Sequence, residues 1–164
     1  PEPWAAPLRQ AGERPAALLL HYGFLQASQP QRYRRPGVSS LAAKIAEDAA
    51  RSYLGPAAEA PGAGHAMADP LCLVEGLAAG IALPPAFIAA GEADPCLPDS
   101  QRLVAALQRR GLPHELRLYP GQPHGFHVMF WREAARQCWR DSFAFLDRLL
   151  AVGQSKNSRA ATEA

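Results

Sequence analysis

The sequence predicts an α/β fold in which parallel strands are joined by crossover helices. Two observations carry this. Short apolar runs alternate with longer segments whose apolar residues recur at helical spacing, in the order strand, helix, strand, helix, strand, helix. Two of the runs are apolar throughout, the pattern of strands covered on both faces of a sheet. At 164 residues the chain is the size of one domain.

The first run is AALLLHY, residues 16–22, closed by Gly23. Residues 24–37 contain Ser, Gln and Pro and read as a loop. Its Arg32, Arg34 and Arg35 make no extended patch, so they are expected to be solvated rather than to bind phosphate. Over 38–54 the residues Val38, Leu41, Ile45, Ala49 and Tyr53 fall at helical spacing. Ser39 or Ser40 can cap this helix, and Gly55-Pro56 ends it. Residues 55–70 are rich in Ala, Gly and Pro and read as irregular, and 69–85 carry no clear period.

Pro84-Pro85 forces extended backbone into AFIAA, residues 86–90, a second buried strand. A helix over 99–110 follows, with Asp99 or Ser100 at its start. Leu103, Ala106 and Leu107 share one face, and Gly111 suits the left-handed position after its end. ELRLY, residues 115–119, alternates apolar and polar, as a strand near a sheet edge does. A last helix over about 131–150 carries the stripe Ala135, Trp139, Phe143, Leu146 and Leu150. The polar residues 153–164 read as a disordered tail.

Composition narrows the function classes. Apolar residues make up 48%, and 33 of them are Ala; Leu, Ile, Val and Phe number 34. The net charge of +2 is too small to hold the chain open by self-repulsion, and it argues against a dedicated nucleic-acid surface. No run of eighteen apolar residues exists, so no membrane span is expected. The chain starts at Pro1, and its first residues show no basic stretch followed by an apolar one. Cys72, Cys96 and Cys138 form no CxxC pair and read as reduced thiols.

In an open parallel sheet, ligands bind beyond the carboxyl ends of the strands. Two loops leave such ends. The first carries Asp94, four residues after the second strand; the second carries His124, five residues after the third. If the strands are neighbours, about 4.8 Å apart, both residues emerge on one edge. A carboxylate there can accept the imidazole Nδ1–H and leave Nε2 free as a general base. Each residue alone has a plainer reading: Asp94-Pro95 as a turn opener, His124 as a surface histidine. His124 and His127 have HxxH spacing, but Gly125 argues against the helix a metal site of that kind needs, so no metal is expected. Cys96 lacks nearby positive charge and reads as a buried apolar residue rather than a nucleophile. His21 reads as a packed or capping residue; His65 and His114 carry no signal. An acid–base pair needs a nucleophile, yet the chain holds no GxSxG turn and no HGG stretch.

The segment 83–126, LPPAFIAAGEADPCLPDSQRLVAALQRRGLPHELRLYPGQPHGF, closely resembles the C-terminal part of the α/β-hydrolase fold, in the branch of hormone-sensitive-lipase-like esterases and acetyl-hydrolases. The residues that carry the resemblance are Gly91-Glu92-Ala93-Asp94-Pro95 and Tyr119-Pro120-Gly121-Gln122-Pro123-His124-Gly125-Phe126. Tyr53-Leu54-Gly55, Asp69-Pro70-Leu71 and AALLLHYG add to it more weakly. The resemblance implies that Asp94 is the acid and His124 the base of a catalytic triad. It implies that residues 1–152 are the C-terminal half of the domain, and that the nucleophile and oxyanion hole lie in a missing N-terminal half. On this reading the protein is a serine-type carboxylic ester hydrolase acting on a small-molecule ester without a cofactor, and the chain alone is inactive. The Tyr-Pro-Gly-x-x-His-Gly-Phe segment also resembles dienelactone hydrolases and prolyl-oligopeptidase-type peptidases. A non-catalytic remnant of the fold is a further alternative.

Overall fold

The computed structural model describes residues 6–12, 14–55 and 66–162. A short helix α1 (Ala6–Ala11) precedes strand β1 (Leu18–His21). Helices α2 (Ser40–Leu54) and α3 (Pro70–Glu75) lead to β2 (Ala86–Gly91). Helix α4 (Leu97–Arg109), β3 (His114–Tyr119) and α5 (Glu133–Thr162) complete the order. The strands form one parallel sheet, β1-β2-β3, with Leu18 opposite Ala86 and Ala86 opposite His114. The parallel sheet and the alternation of strands and helices expected from the sequence are those observed, and the second and third strands are neighbours.

Side-chain alternation along the strands divides the core in two. Phe87 and Ala89 of β2 pack with Tyr119, Phe126, Cys138 and Phe145, so α5 covers that face. Ala86 and Ile88 point the other way, onto Leu71, Leu103 and Leu107 of α3 and α4. All six residues of β2 are buried. Leu18–His21 are only half-buried, although the run reads as a strand covered on both sides. The reason is position: among the described residues β1 has a strand neighbour on one edge alone.

Helices α2 and α5 differ from their sequence readings. In α2 the buried residues are Ala43, Ala46 and Ala50, whereas Leu41, Ile45 and Tyr53 of the apolar stripe are 68%, 60% and 71% exposed. Alanine lets the helix approach its neighbour closely, and the larger residues are left on the open side. In α5 the buried line is Ala135, Cys138, Ser142 and Phe145; Phe143 and Leu150 are exposed. The buried face is thus rotated about one residue from the expected stripe, since burying Ser142 and Cys138 puts small residues against the sheet. The same helix continues to Thr162, past the end of its apolar stripe at 150 and into the stretch expected as a disordered tail. A helix already nucleated over 133–150 extends by one hydrogen bond per added residue, so the apolar stripe need not reach as far as the helix does.

Other details follow the sequence. Ser39 caps α2, its hydroxyl accepting from Ala42 N–H at 3.1 Å. Gly111 takes the left-handed conformation, φ +63°. The unassigned stretch 69–85 contains α3, which begins at Pro70, where a missing N–H costs nothing. Residues 56–65 of the irregular stretch, and His65 with them, lie outside the described residues. Cys72, Cys96 and Cys138 are free thiols.

Candidate active site

The carboxyl ends of β2 and β3 bring Asp94 and His124 together. Asp94 sits in a turn closed by its own N–H to Gly91 C=O, at 3.2 Å, and by Leu97 N–H to Asp94 C=O, at 3.2 Å. His124 sits between Gly121 and Gly125, both at positive φ, in a loop too tight for two ordinary residues. The two loops touch at Gly91: a Cβ there would lie 2.0 Å from the Gln122 carbonyl oxygen. That carbonyl accepts Ala93 N–H at 3.1 Å and so ties the two loops directly.

The Asp94 side chain is fully buried and that of His124 is 46% exposed. Asp94 Oδ1 accepts from Cys96 N–H at 2.7 Å and from His124 Nδ1 at 3.0 Å. A carboxylate only accepts, so the proton of the imidazole is on Nδ1 and Nε2 carries a free lone pair. Among the described residues Nε2 has no partner. This arrangement can take a proton at Nε2 and hold the resulting imidazolium against a buried carboxylate.

Cys96 lies beside the pair; its sulfur, a carboxylate oxygen of Asp94 and a ring nitrogen of His124 fall within 4.8 Å of one another. Burial pushes its thiol well above the usual range, and the carboxylates of Asp94 and Asp99 push it further. Such a thiol is a poor nucleophile and a poor soft-metal ligand, since both roles need the thiolate.

The loop 24–37 is where the sequence reading needs correction. Its arginines are expected to be solvated, but two of them hold the segment that carries the acid. Arg32 forms an ion pair with the fully buried Asp99, at 2.6 Å. Asp99 also accepts from Leu25 N–H, Gln26 N–H and the Tyr33 hydroxyl, at 2.8, 3.2 and 2.8 Å. Arg35 donates to the Asp94 carbonyl at 2.5 Å and to the Glu92 carbonyl at 3.4 Å. Arg34 pairs with Glu47 on the surface. Arg32 and Asp99, and Arg35 and its two carbonyl partners, are 57 to 67 residues apart in sequence, beyond the reach of any local pattern. Arg35→Ala is therefore expected to loosen the Asp94 turn. The expected cost is about 1.5–3 kcal/mol, the range for hydrogen bonds from a charged donor. Urea melts measure that cost. The low-field Nδ1–H proton resonance of His124 reports the turn itself, and Arg35→Lys should restore that signal.

Tyr22 is the other residue that the sequence does not single out. Among the described residues it is the one non-glycine at positive φ, 40°. Its ring sits edge-on to His124, 4.7 Å between centroids, and its hydroxyl hydrogen-bonds the His127 ring. The run AALLLHY hides this, because nothing in it marks a strained residue at the strand end.

His21 hydrogen-bonds Ser142 Oγ at 3.0 Å and lies 5.2 Å from the His127 ring. Burial lowers the basicity of both imidazoles, and the neighbouring His127 lowers that of His21 further. Unfolding returns each to its usual value near 6.5. The unfolded chain then binds protons more strongly, so stability is complete above about pH 6.5 and falls as the pH drops below it. Urea midpoints should decrease between about pH 7.5 and 5. The double variant His21→Gln, His127→Gln should flatten that dependence.

A sequence model of a family described as alpha/beta hydrolase fold matches residues 4–128. Solved structures share the fold. One is an esterase/lipase from an uncultured bacterium, with TM-score 0.65, 20% identity, and 88% of this chain and 47% of that chain covered. Esterase B from Lactobacillus Rhamnosis (HN001) has TM-score 0.63 and 16% identity, with 87% and 43% covered. A hormone-sensitive lipase from a metagenome library has TM-score 0.58 and 20% identity, with 82% and 46% covered. The chain spans about half the length of these structures.

Proposed function

The chain belongs to the α/β-hydrolase family, and from that membership we propose that residues 1–152 are the acid- and base-bearing half of a serine-type carboxylic ester hydrolase. The observation that carries this is the 3.0 Å hydrogen bond between Asp94 and His124 at the carboxyl ends of two adjacent parallel strands. Among the described residues one edge of β1 is unpaired, and this supports the rest, since a strand bearing the nucleophile would add there.

In this reading His124 Nε2 takes the proton of a serine hydroxyl supplied by the missing N-terminal half. The serine oxygen attacks the ester carbonyl and forms a tetrahedral intermediate. The carbon–oxygen bond to the alcohol then breaks, and His124 gives its proton to the departing alkoxide. Water repeats the cycle: it loses a proton to His124, attacks the acyl-enzyme, and releases the carboxylic acid as the serine recovers its proton. Asp94 keeps the proton of the neutral ring on Nδ1 and stabilises the imidazolium. No cofactor or metal is needed. The substrate is a small-molecule ester.

The test compares residues 1–164 with the longer polypeptide that includes the nucleophile, against p-nitrophenyl esters of several chain lengths. Turnover is expected only from the longer polypeptide. Turnover by residues 1–164 alone, or none by the longer polypeptide on any ester, would contradict the assignment.

A further inference from the structure

One hydrogen bond fixes the distance of a ring but not its plane. The bond from His124 Nδ1 to Asp94 Oδ1, at 3.0 Å, leaves the imidazole free to swing about that line, and 46% of the side chain is open to solvent. A base has to hold Nε2 toward the hydroxyl it deprotonates, so a second contact is needed to set the plane.

Tyr22 supplies such a contact. Along β1, Leu18 and Leu20 face α3 and α4, whereas Leu19 and His21 face α5. Alternation alone would send residue 22 the way of Leu20. The positive φ of 40° turns it instead toward His127 and His124, whose ring centroids lie 4.4 and 4.7 Å from its own. Strands β1 and β3 are two strand spacings apart, about 10 Å, so only a long side chain reaches across the end of β2. The bend is anchored by Tyr22 N–H, which donates to Ala89 C=O at 2.7 Å. Strain of this kind persists only where the surroundings hold it, and here it aims one ring at the imidazole.

The tyrosine ring is itself clamped. Its hydroxyl hydrogen-bonds the His127 ring, which lies 5.4 Å from the ring of Trp139. The Trp139 indole N–H donates to His127 C=O at 3.2 Å. The His124 imidazole therefore has Asp94 at one nitrogen and, edge-on beside it, an aromatic ring tied to α5.

We infer that Tyr22 is a positioning residue for the base: its ring, clamped by His127, sets the plane of the His124 imidazole and with it the direction of Nε2. The inference rests on His124 as the base and adds a residue to the machinery that orients it. Tyr22 touches no reacting atom in this role.

The test uses two substitutions that separate the ring from the hydroxyl. Tyr22→Gly removes the ring, and a glycine is at ease at positive φ, so the bend survives. Tyr22→Phe keeps the ring and frees it from His127. In residues 1–164 the His124 ring-proton resonances should carry a ring-current displacement that Tyr22→Phe retains and Tyr22→Gly abolishes. In the polypeptide that carries the serine, Tyr22→Gly should lower kcat on a p-nitrophenyl ester about tenfold, the upper end for an edge-to-face aromatic pair, with KM within about twofold. Tyr22→Phe should lose about threefold. Adding His127→Gln to Tyr22→Phe should cost nothing more, because both cut the same clamp. A merely structural role would lower the amount of folded protein, read by urea melts, and leave kcat per folded molecule unchanged. That result, His124 resonances unmoved by Tyr22→Gly, or equal losses in Tyr22→Phe and Tyr22→Gly would each overturn the inference. A longer polypeptide that hydrolyses no ester would count against the catalytic reading alone, and the resonances would still decide whether this ring orients the imidazole.

Discussion

Asp94→Asn, in the polypeptide that carries the serine, is expected to lower ester turnover about 10⁴-fold, the loss produced by the same change in a serine-protease triad. The physical reason lies in the hydrogen bonds. An asparagine can still accept Cys96 N–H through its oxygen, as Asp94 Oδ1 does at 2.7 Å. Its amide then presents N–H to the imidazole. Nδ1 must become the acceptor, and the ring proton moves to Nε2, the atom that has to take the serine proton. The base is occupied and the charge that would steady the imidazolium is gone. Steady-state kinetics on a p-nitrophenyl ester measure the loss in kcat. Circular dichroism checks that the variant is folded. Near-normal turnover in a folded variant would remove Asp94 from the mechanism.

Gly91→Ala is expected to damage both fold and site. The added Cβ would meet the Gln122 carbonyl oxygen at 2.0 Å and its carbon at 2.6 Å. Both are backbone atoms, so neither can turn aside as a flexible side chain would. The β2 and β3 loops must part, and the bond from Ala93 N–H to that carbonyl goes with them. Overpacking of this kind costs about 1–3 kcal/mol, sometimes more. The loss of activity should exceed what the loss of folded protein explains, because the separation of Asp94 from His124 is set by those same loops. Gly111→Ala is the control. It replaces a left-handed glycine with open space around it, just before the start of β3 and so at the opposite end of that strand from both loops. It should cost about 1 kcal/mol of backbone strain and leave turnover per folded molecule unchanged. Denaturant melts and single-turnover rates on both variants give the comparison.

What could be read in advance follows from what sequence patterns encode. AFIAA and ELRLY announce themselves as strands through side-chain type and period, so the strands and the parallel sheet were legible. The positions of Asp94 and His124 were legible because each follows its strand by a few residues, and adjacent parallel strands must deliver their loops to one edge. The facing of α2 was not. Period shows that Leu41, Ile45 and Tyr53 share a side of the helix, but not whether that side meets a sheet or an open cleft; here the smaller Ala43, Ala46 and Ala50 are buried instead. Helix α5 is displaced in the same sense, with Ser142 and Cys138 buried where Phe143 fits the stripe. Arg32 and Arg35 illustrate a different limit. Their partners, Asp99 and the Asp94 carbonyl, lie about sixty residues away, and only the folded chain brings them into register. Gly91 belongs to the same group: its need for a bare Cα comes from Gln122, in another loop.

In the proposed mechanism His124, held by Asp94, activates a serine outside residues 1–164. Labelling of the longer polypeptide with an alkyl fluorophosphonate, followed by peptide mass spectrometry, tests it most directly. A single phosphonylated serine is expected in the part of the protein that precedes these residues, with labelling that His124→Ala slows to the rate of an unactivated hydroxyl. Phosphonylation of a residue within 1–164, or labelling that proceeds at full rate without His124, would contradict it.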